Sequence, residues 1–220
     1  MSKDKEIQNK ITKIVKQVLL LSEDLKANLK GVYDKNNLRN ALVALIVSET
    51  ALYKKLATIF ETRSASKIVE FASIARLILE SHAVICWILE SEGNEQVRAG
   101  RFMDTGWDLQ KHYNNLFLKG YGRAKRTRHR LPTTETLIKT MNTPELVNWY
   151  DELNFYIHPS TAILTQQFPE GLLNTIDFGV FVAGNVYADS ILKVAKMLNF
   201  EVSIVDAAKT IHTFDIPDVK

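Results

Sequence analysis

Residues Phe71–Leu89, FASIARLILESHAVICWIL, decide the fold. Fourteen of these 19 residues are apolar, and they fall on every side of a 3.6-residue period, so the stretch predicts a helix surrounded by protein. Arg76, Glu80 and His82 cut the uninterrupted apolar run to well below the ~20 residues that cross hydrocarbon, which argues against a membrane span. Arg76 and Glu80 are four apart and share a face with Ser73, Ala83 and Trp87. An ion in such a helix has to be paired, because stripping a buried charge of its partner costs roughly 3–5 kcal/mol. The stripe is therefore expected to meet polar groups in the interior, with Glu49 from the preceding helix and a segment around His158 as candidates.

Working outward, the third helix begins near Ser64 or Ser66 and ends about Glu90, before Gly93 and Asn94. Upstream, Ile11, Ile14, Val18, Leu21, Leu25 and Leu29 recur at steps of three and four and predict a long N-terminal helix over residues 4–30. Asn36 or Asn37 can cap a second helix whose stripe runs Leu38, Leu42, Leu45, Glu49, Leu52, Leu56, Ile59; Glu49 is its odd member. Downstream, helices fit Glu95 to Lys119, Thr134 to Met141, Pro144 to Tyr156 with its proline in the first turn, and Asp177 to Leu198. Phe200 to Val205 is the best strand candidate, and residues 206–220 read as a loose C-terminal tail. The expectation is an all-α, single-domain helical bundle over residues 1–205, with four to five long helices and short accessory ones.

Composition supports a folded chain. Of 220 residues 46% are hydrophobic and 24% charged, with 9 Gly and 5 Pro, a balance that excludes collagen-like and disordered classes. The single cysteine, Cys86, can form neither an internal disulfide nor a zinc cluster, which points to a reducing, cytoplasmic setting. Met1–Glu6 is charged, so no secretion signal is expected. The five histidines form no His-x-x-x-His pair, so neither metal nor cofactor is expected. The net charge of +3 conceals a local excess: Lys119–Arg130, KGYGRAKRTRHR, holds six Lys/Arg and no acid. Arg123, Lys125, Arg126 and Arg128 in this run are candidates for RNA phosphate contacts, against the alternative of a solvated loop.

The segment YDELNFYIHPS, Tyr150–Ser160, places His158 before a proline, where a helix ends and the ring can titrate. Tyr150, Asn154 and Tyr156 give it polar company. Two readings of Arg76 and Glu80 stand side by side: a pair that fixes register at a helix seam, or part of a cleft with His158.

The combination of Arg76-x-x-x-Glu80, an arginine in the next helix (Arg101 or Arg98) and Tyr-x-x-Leu-Asn-x-x-x-His-Pro-Ser at Tyr150–Ser160 resembles a family of uncharacterised bacterial all-helical proteins, themselves similar to the HEPN superfamily. The resemblance covers about residues 40 to 195. It implies a HEPN-like bundle, often a homodimer, with relatives that act as metal-independent ribonucleases in toxin–antitoxin and phage-defence systems and others that serve as inactive partners. Carried onto this chain, it implies Arg76, Glu80 and His158 as the reactive set, with Arg101, Tyr150, Asn154 and Tyr156 on the substrate. The nuclease branch usually carries Arg-polar-x-x-x-His, with four to six residues between arginine and histidine; here that spacing occurs only from Arg123 to His129, inside the basic run. The expected function is accordingly a non-enzymatic binding or regulatory module, with a metal-independent ribonuclease as the alternative. In the latter, His158 would move the proton and Arg76 or Arg101 would meet the phosphorane charge.

Overall fold

The computed structural model describes residues 3–29, 37–104, 131–140, 143–157 and 169–212. Among them every regular element is helical: α1 (Lys3–Asn28), α2 (Asn37–Thr62), a 3-10 turn (Ala65–Lys67), α3 (Ile68–Leu89), α4 (residues 95–104), α5 (Thr134–Thr140), α6 (Pro144–Tyr156), α7 (Pro169–Leu198) and α8 (Val202–His212). The all-α bundle expected from periodicity is what forms. Its four long helices have 26, 26, 22 and 30 residues.

The α1 stripe is buried from Ile11 to Leu29, and on α2 Glu49 is fully enclosed among Leu42, Leu45, Ile46, Tyr53 and Leu56. Helix α3 lies centrally. It packs on α2 and α7 along one side and on α5 and α6 along the other. Helix α7 is its counterpart, touching α1, α2, α3 and α8. The close approach of α7 to α3 needs Gly179, where a Cβ would stand 2.5 Å from the Phe71 ring. At the far end of α2, Arg63 donates from both terminal guanidinium nitrogens to the Asp177 carboxylate, at 3.3 and 3.2 Å, and so ties α2 to α7. Ala65–Leu89 and Glu170–Leu198 are long and apolar enough to cross a membrane by length and composition alone; their apolar windows are 67% and 61% buried inside the bundle, as core helices would be.

Two segments differ from the sequence reading. Helix α7 begins at Pro169, eight residues before the expected Asp177; a proline costs nothing in a first turn, where its missing N–H has no intrahelical partner. The β-branched and aromatic run Phe178–Val182 stays helical because Ile176, Val180, Ala183, Tyr187 and Ile191 bury one face of α7, and tertiary packing outweighs intrinsic preference. The second difference is at 200–212. The expected strand and the first part of the expected tail are one helix, α8. Asn199 takes φ 54, and Phe200 N–H reaches back to the Ala195 carbonyl at 3.1 Å, which closes α7 with a left-handed cap. The chain then re-enters helix, with Ile204, Ala208 and Ile211 buried against α1 and α7.

Candidate functional site

The Arg76–Glu80 pair forms on α3 as its spacing predicts, with Arg76 Nε donating to Glu80 Oε1 at 2.7 Å. Tyr150, presented by the buried face of α6, completes the group. Its hydroxyl donates to the same Glu80 oxygen at 3.4 Å, and the Arg76 guanidinium carbon stands 5.2 Å from the centre of its ring, a cation–π arrangement. Burial opposes the charge on Arg76, but the bond and the charge of Glu80 outweigh it and hold the guanidinium above its ordinary value. Burial, with Glu80 next, raises the Tyr150 phenol.

This group is at a rim, not in the interior. The Arg76 and Glu80 side chains are 37% and 24% exposed, because the 13-residue α6 covers only one flank of their stripe. Glu49 does not join them. Its hydrogen-bond partner is Ser190 of α7, which also meets His82 on another face of α3, about a third of a turn round from Arg76. Arg98 in α4 donates to the Trp87 carbonyl and stacks at 5.1 Å over the Trp87 ring, so it is spent on the last turn of α3. Arg101 lies on the exposed side of α4. Tyr156 turns to α7, its hydroxyl 3.3 Å from Thr175 Oγ1 and 3.4 Å from Glu152 Oε1, while Asn154 is half-buried and its carbonyl takes the Ile157 N–H at 3.3 Å. His158, Arg123, Lys125, Arg126 and Arg128, with the rest of the basic run, lie outside the described residues.

A second constellation, which periodicity left unread apart from Glu49, joins α2, α3 and α7. Ser190 Oγ stands 3.1 Å from Glu49 Oε1 and 2.8 Å from His82 Nδ1. His82 Nε2 in turn lies 3.4 Å from Asp189 Oδ2 and 3.5 Å from Cys86 Sγ. Asp189 is at the edge, 29% exposed, with Lys193 Nζ 3.9 Å away. Burial raises the Glu49 carboxyl well above the carboxylate range, against the weaker pull of Ser190 and Ser81. Burial likewise lowers His82 to about 4, opposed by Asp189, and pushes the Cys86 thiol up to about 12. His82 is therefore neutral in the native state at neutral pH, and burial favours the protonated, neutral form of Glu49.

The set Ser190, His82 and Asp189 contains the side chains of a hydrolytic triad, but Ser190 is fully buried and a nucleophile must reach a substrate carbonyl. The hint in the sequence was the ionisable Glu49 in one apolar stripe and His82 in another; Ser190 is 141 residues from Glu49 and 108 from His82, too distant for any local pattern. A further, partly buried pair, Thr50 Oγ1 and Tyr187 OH at 2.7 Å, links α2 to α7 beside it.

Among the described residues no group of His, Cys, Asp and Glu is arranged to hold a metal ion. A shallow groove lined by Lys16, Leu19, Leu20, Glu23 and Lys54 runs between α1 and α2, with no residue of either constellation in its lining. Comparison with models of known families, with curated proteins and with solved structures finds no match.

Proposed function

We propose that the chain is a HEPN-like, non-enzymatic binding or regulatory module, working in the cytoplasm as a homodimer within a bacterial toxin or phage-defence type of system. The observation that carries this reading is the use already made of Arg76. Its guanidinium is bonded to Glu80 on its own helix and faced by the ring of Tyr150, so the cation that would stabilise a phosphorane is engaged in a salt bridge at a helix seam. Glu49 and His82 favour the same reading, since both are sealed in the core, where burial favours their neutral forms. The basic run Lys119–Arg130 would supply sequence-independent phosphate contacts to an RNA partner.

The test is incubation of the purified chain with single-stranded RNA in metal-free buffer, beside the His158→Ala variant. The expected result is no cleavage by either protein. Cleavage by the wild type that disappears in His158→Ala at an unchanged melting temperature would establish the ribonuclease instead. Mass in solution tests the dimer.

A further inference from the structure

The groove between α1 and α2 serves neither constellation. Lys16, Leu19, Leu20, Glu23 and Lys54 enclose about 480 Å3 there and offer it an almost wholly apolar surface. Leu20 stands on its rim, 68% exposed. A lone exposed leucine is ordinary; the charges around this one are not. On a 3.6-residue period Lys13, Lys16, Glu23, Asp24 and Ala27 fall within about 60° of Leu20, while Lys26 is turned about 120° away. All five are exposed. The face is thus basic on the N-terminal side of Leu20 and acidic on the C-terminal side. Glu23 is bonded to Lys54 of α2, which holds its carboxyl below the ordinary value. Lys16 and Asp24 are in no ion pair of their own chain among the described residues.

Such a face is complementary to itself in one orientation. Two copies of α1 laid antiparallel about a two-fold axis near Leu20 bring Leu20 against the partner's Leu20, Lys16 against the partner's Asp24, Asp24 against the partner's Lys16, and Lys13 against the partner's Ala27. Each charged contact lies four residues from the centre, about 6 Å along the helix, and on the same flank as its opposite. Laid parallel, the same face sets lysine on lysine and aspartate on aspartate. A helix of an unrelated protein, the other occupant that an apolar groove could take, gives no reason for this internal symmetry, and the acidic half of the face disfavours a nucleic acid.

We propose that two copies of this chain associate through α1, as antiparallel helices crossing at Leu20, with Leu20 of each copy seated against the α1–α2 groove of the other and the Lys16–Asp24 contacts fixing the orientation. The pairing is isologous, the same patch serving both copies. Exposed ion pairs add little affinity and act mainly on register and choice of partner, so the apolar contact holds the copies together and the charges select the antiparallel arrangement. A single helix crossing is a small interface, which makes the dimer reversible and concentration-dependent rather than obligate. This inference rests on the homodimer proposed above and names its surface and symmetry.

Sedimentation equilibrium of the full chain over about 1 to 100 μM tests this. The wild type is expected to dimerise. Leu20→Glu, which sets two carboxylates on the axis, and each of Lys16→Asp and Asp24→Lys, which set like charges together, should each raise the dissociation constant about tenfold or more. Their far-ultraviolet circular dichroism should match the wild type, because all three positions are exposed. An equimolar mixture of Lys16→Asp and Asp24→Lys should recover the wild-type association, since every charged contact between the two variants joins an acid to a lysine; misfolded variants could not do this. A wild type that stays monomeric up to about 100 μM would overturn both this surface and the homodimer. A wild-type dimer that the three substitutions leave equally tight, or a mixture that recovers nothing, would overturn the surface and its symmetry while the homodimer stood.

Discussion

Replacing Glu49 with glutamine should remove a pH dependence that the wild type cannot avoid. The glutamine side chain has nearly the same shape and can donate and accept, but it does not titrate. In the native chain complete burial raises the Glu49 carboxyl well above its ordinary 4.5, so it keeps its proton where the unfolded chain has lost it. Its contribution to stability is whole below the unfolded value and is lost as pH rises towards the native one, at about 1.4 kcal/mol per pH unit. His82 works in the other direction. Its native value is about 4 against 6.5 in the unfolded chain, so its contribution is whole above 6.5 and is lost as pH falls through 4, about 3 kcal/mol in all. Above 4.5 and up to 6.5 the two slopes oppose each other for as long as the native Glu49 keeps its proton, and above 6.5 His82 adds no further slope. Urea unfolding followed by far-ultraviolet circular dichroism, from about pH 5 to 8, should show these two groups producing a plateau and then a decline. In Glu49→Gln the decline should be absent and the stability should rise to about pH 6.5 before levelling. A variant whose stability falls in parallel with the wild type above 6.5 would refute the neutral, buried carboxyl.

Two substitutions test the packing. Gly179→Ala gains about 1 kcal/mol of helix propensity but forces a Cβ to 2.5 Å from the Phe71 ring, an overpacking cost of about 1–3 kcal/mol that should leave a net loss by chemical denaturation. In α8, Ile211→Ala should cost about 2–4 kcal/mol, whereas Val202→Lys should stay within about 0.5 kcal/mol, since Ile211 is 1% and Val202 75% exposed. Equal costs at these two positions would contradict the helix there.

The long helices were legible because each needs only its own apolar spacing: Ile11 through Leu29 predicts α1, and Pro144 through Tyr156 predicts α6 to the residue. The strand reading of 200–205 failed because β-branched residues at Val202, Ile204 and Val205 suit either state until a neighbour chooses; α1 and α7 bury Ile204 and Ile211 and choose helix. For the site, an i, i+4 relation identified the Arg76–Glu80 bond, whereas Tyr150 was expected beside His158 and its contact with Glu80 depends on how α6 packs on α3. Its depth was misjudged, because exposure depends on which helix covers the stripe, and α6 covers only part of it. The Ser190–His82 contact was invisible for a different reason: it depends on the relative placement of α3 and α7, to which no short-range pattern speaks.

The most direct test of the whole reading is whether Arg76 answers Glu80 or a phosphate. Titration of a short single-stranded RNA into the wild type and into Arg76→Ala, at two salt concentrations, distinguishes these. If the guanidinium belongs to its seam, whatever affinity the basic run confers is the same in both proteins, with the same salt dependence. A loss of about tenfold in Arg76→Ala, with the salt slope reduced by about one, would place a phosphate on Arg76 and contradict the seam.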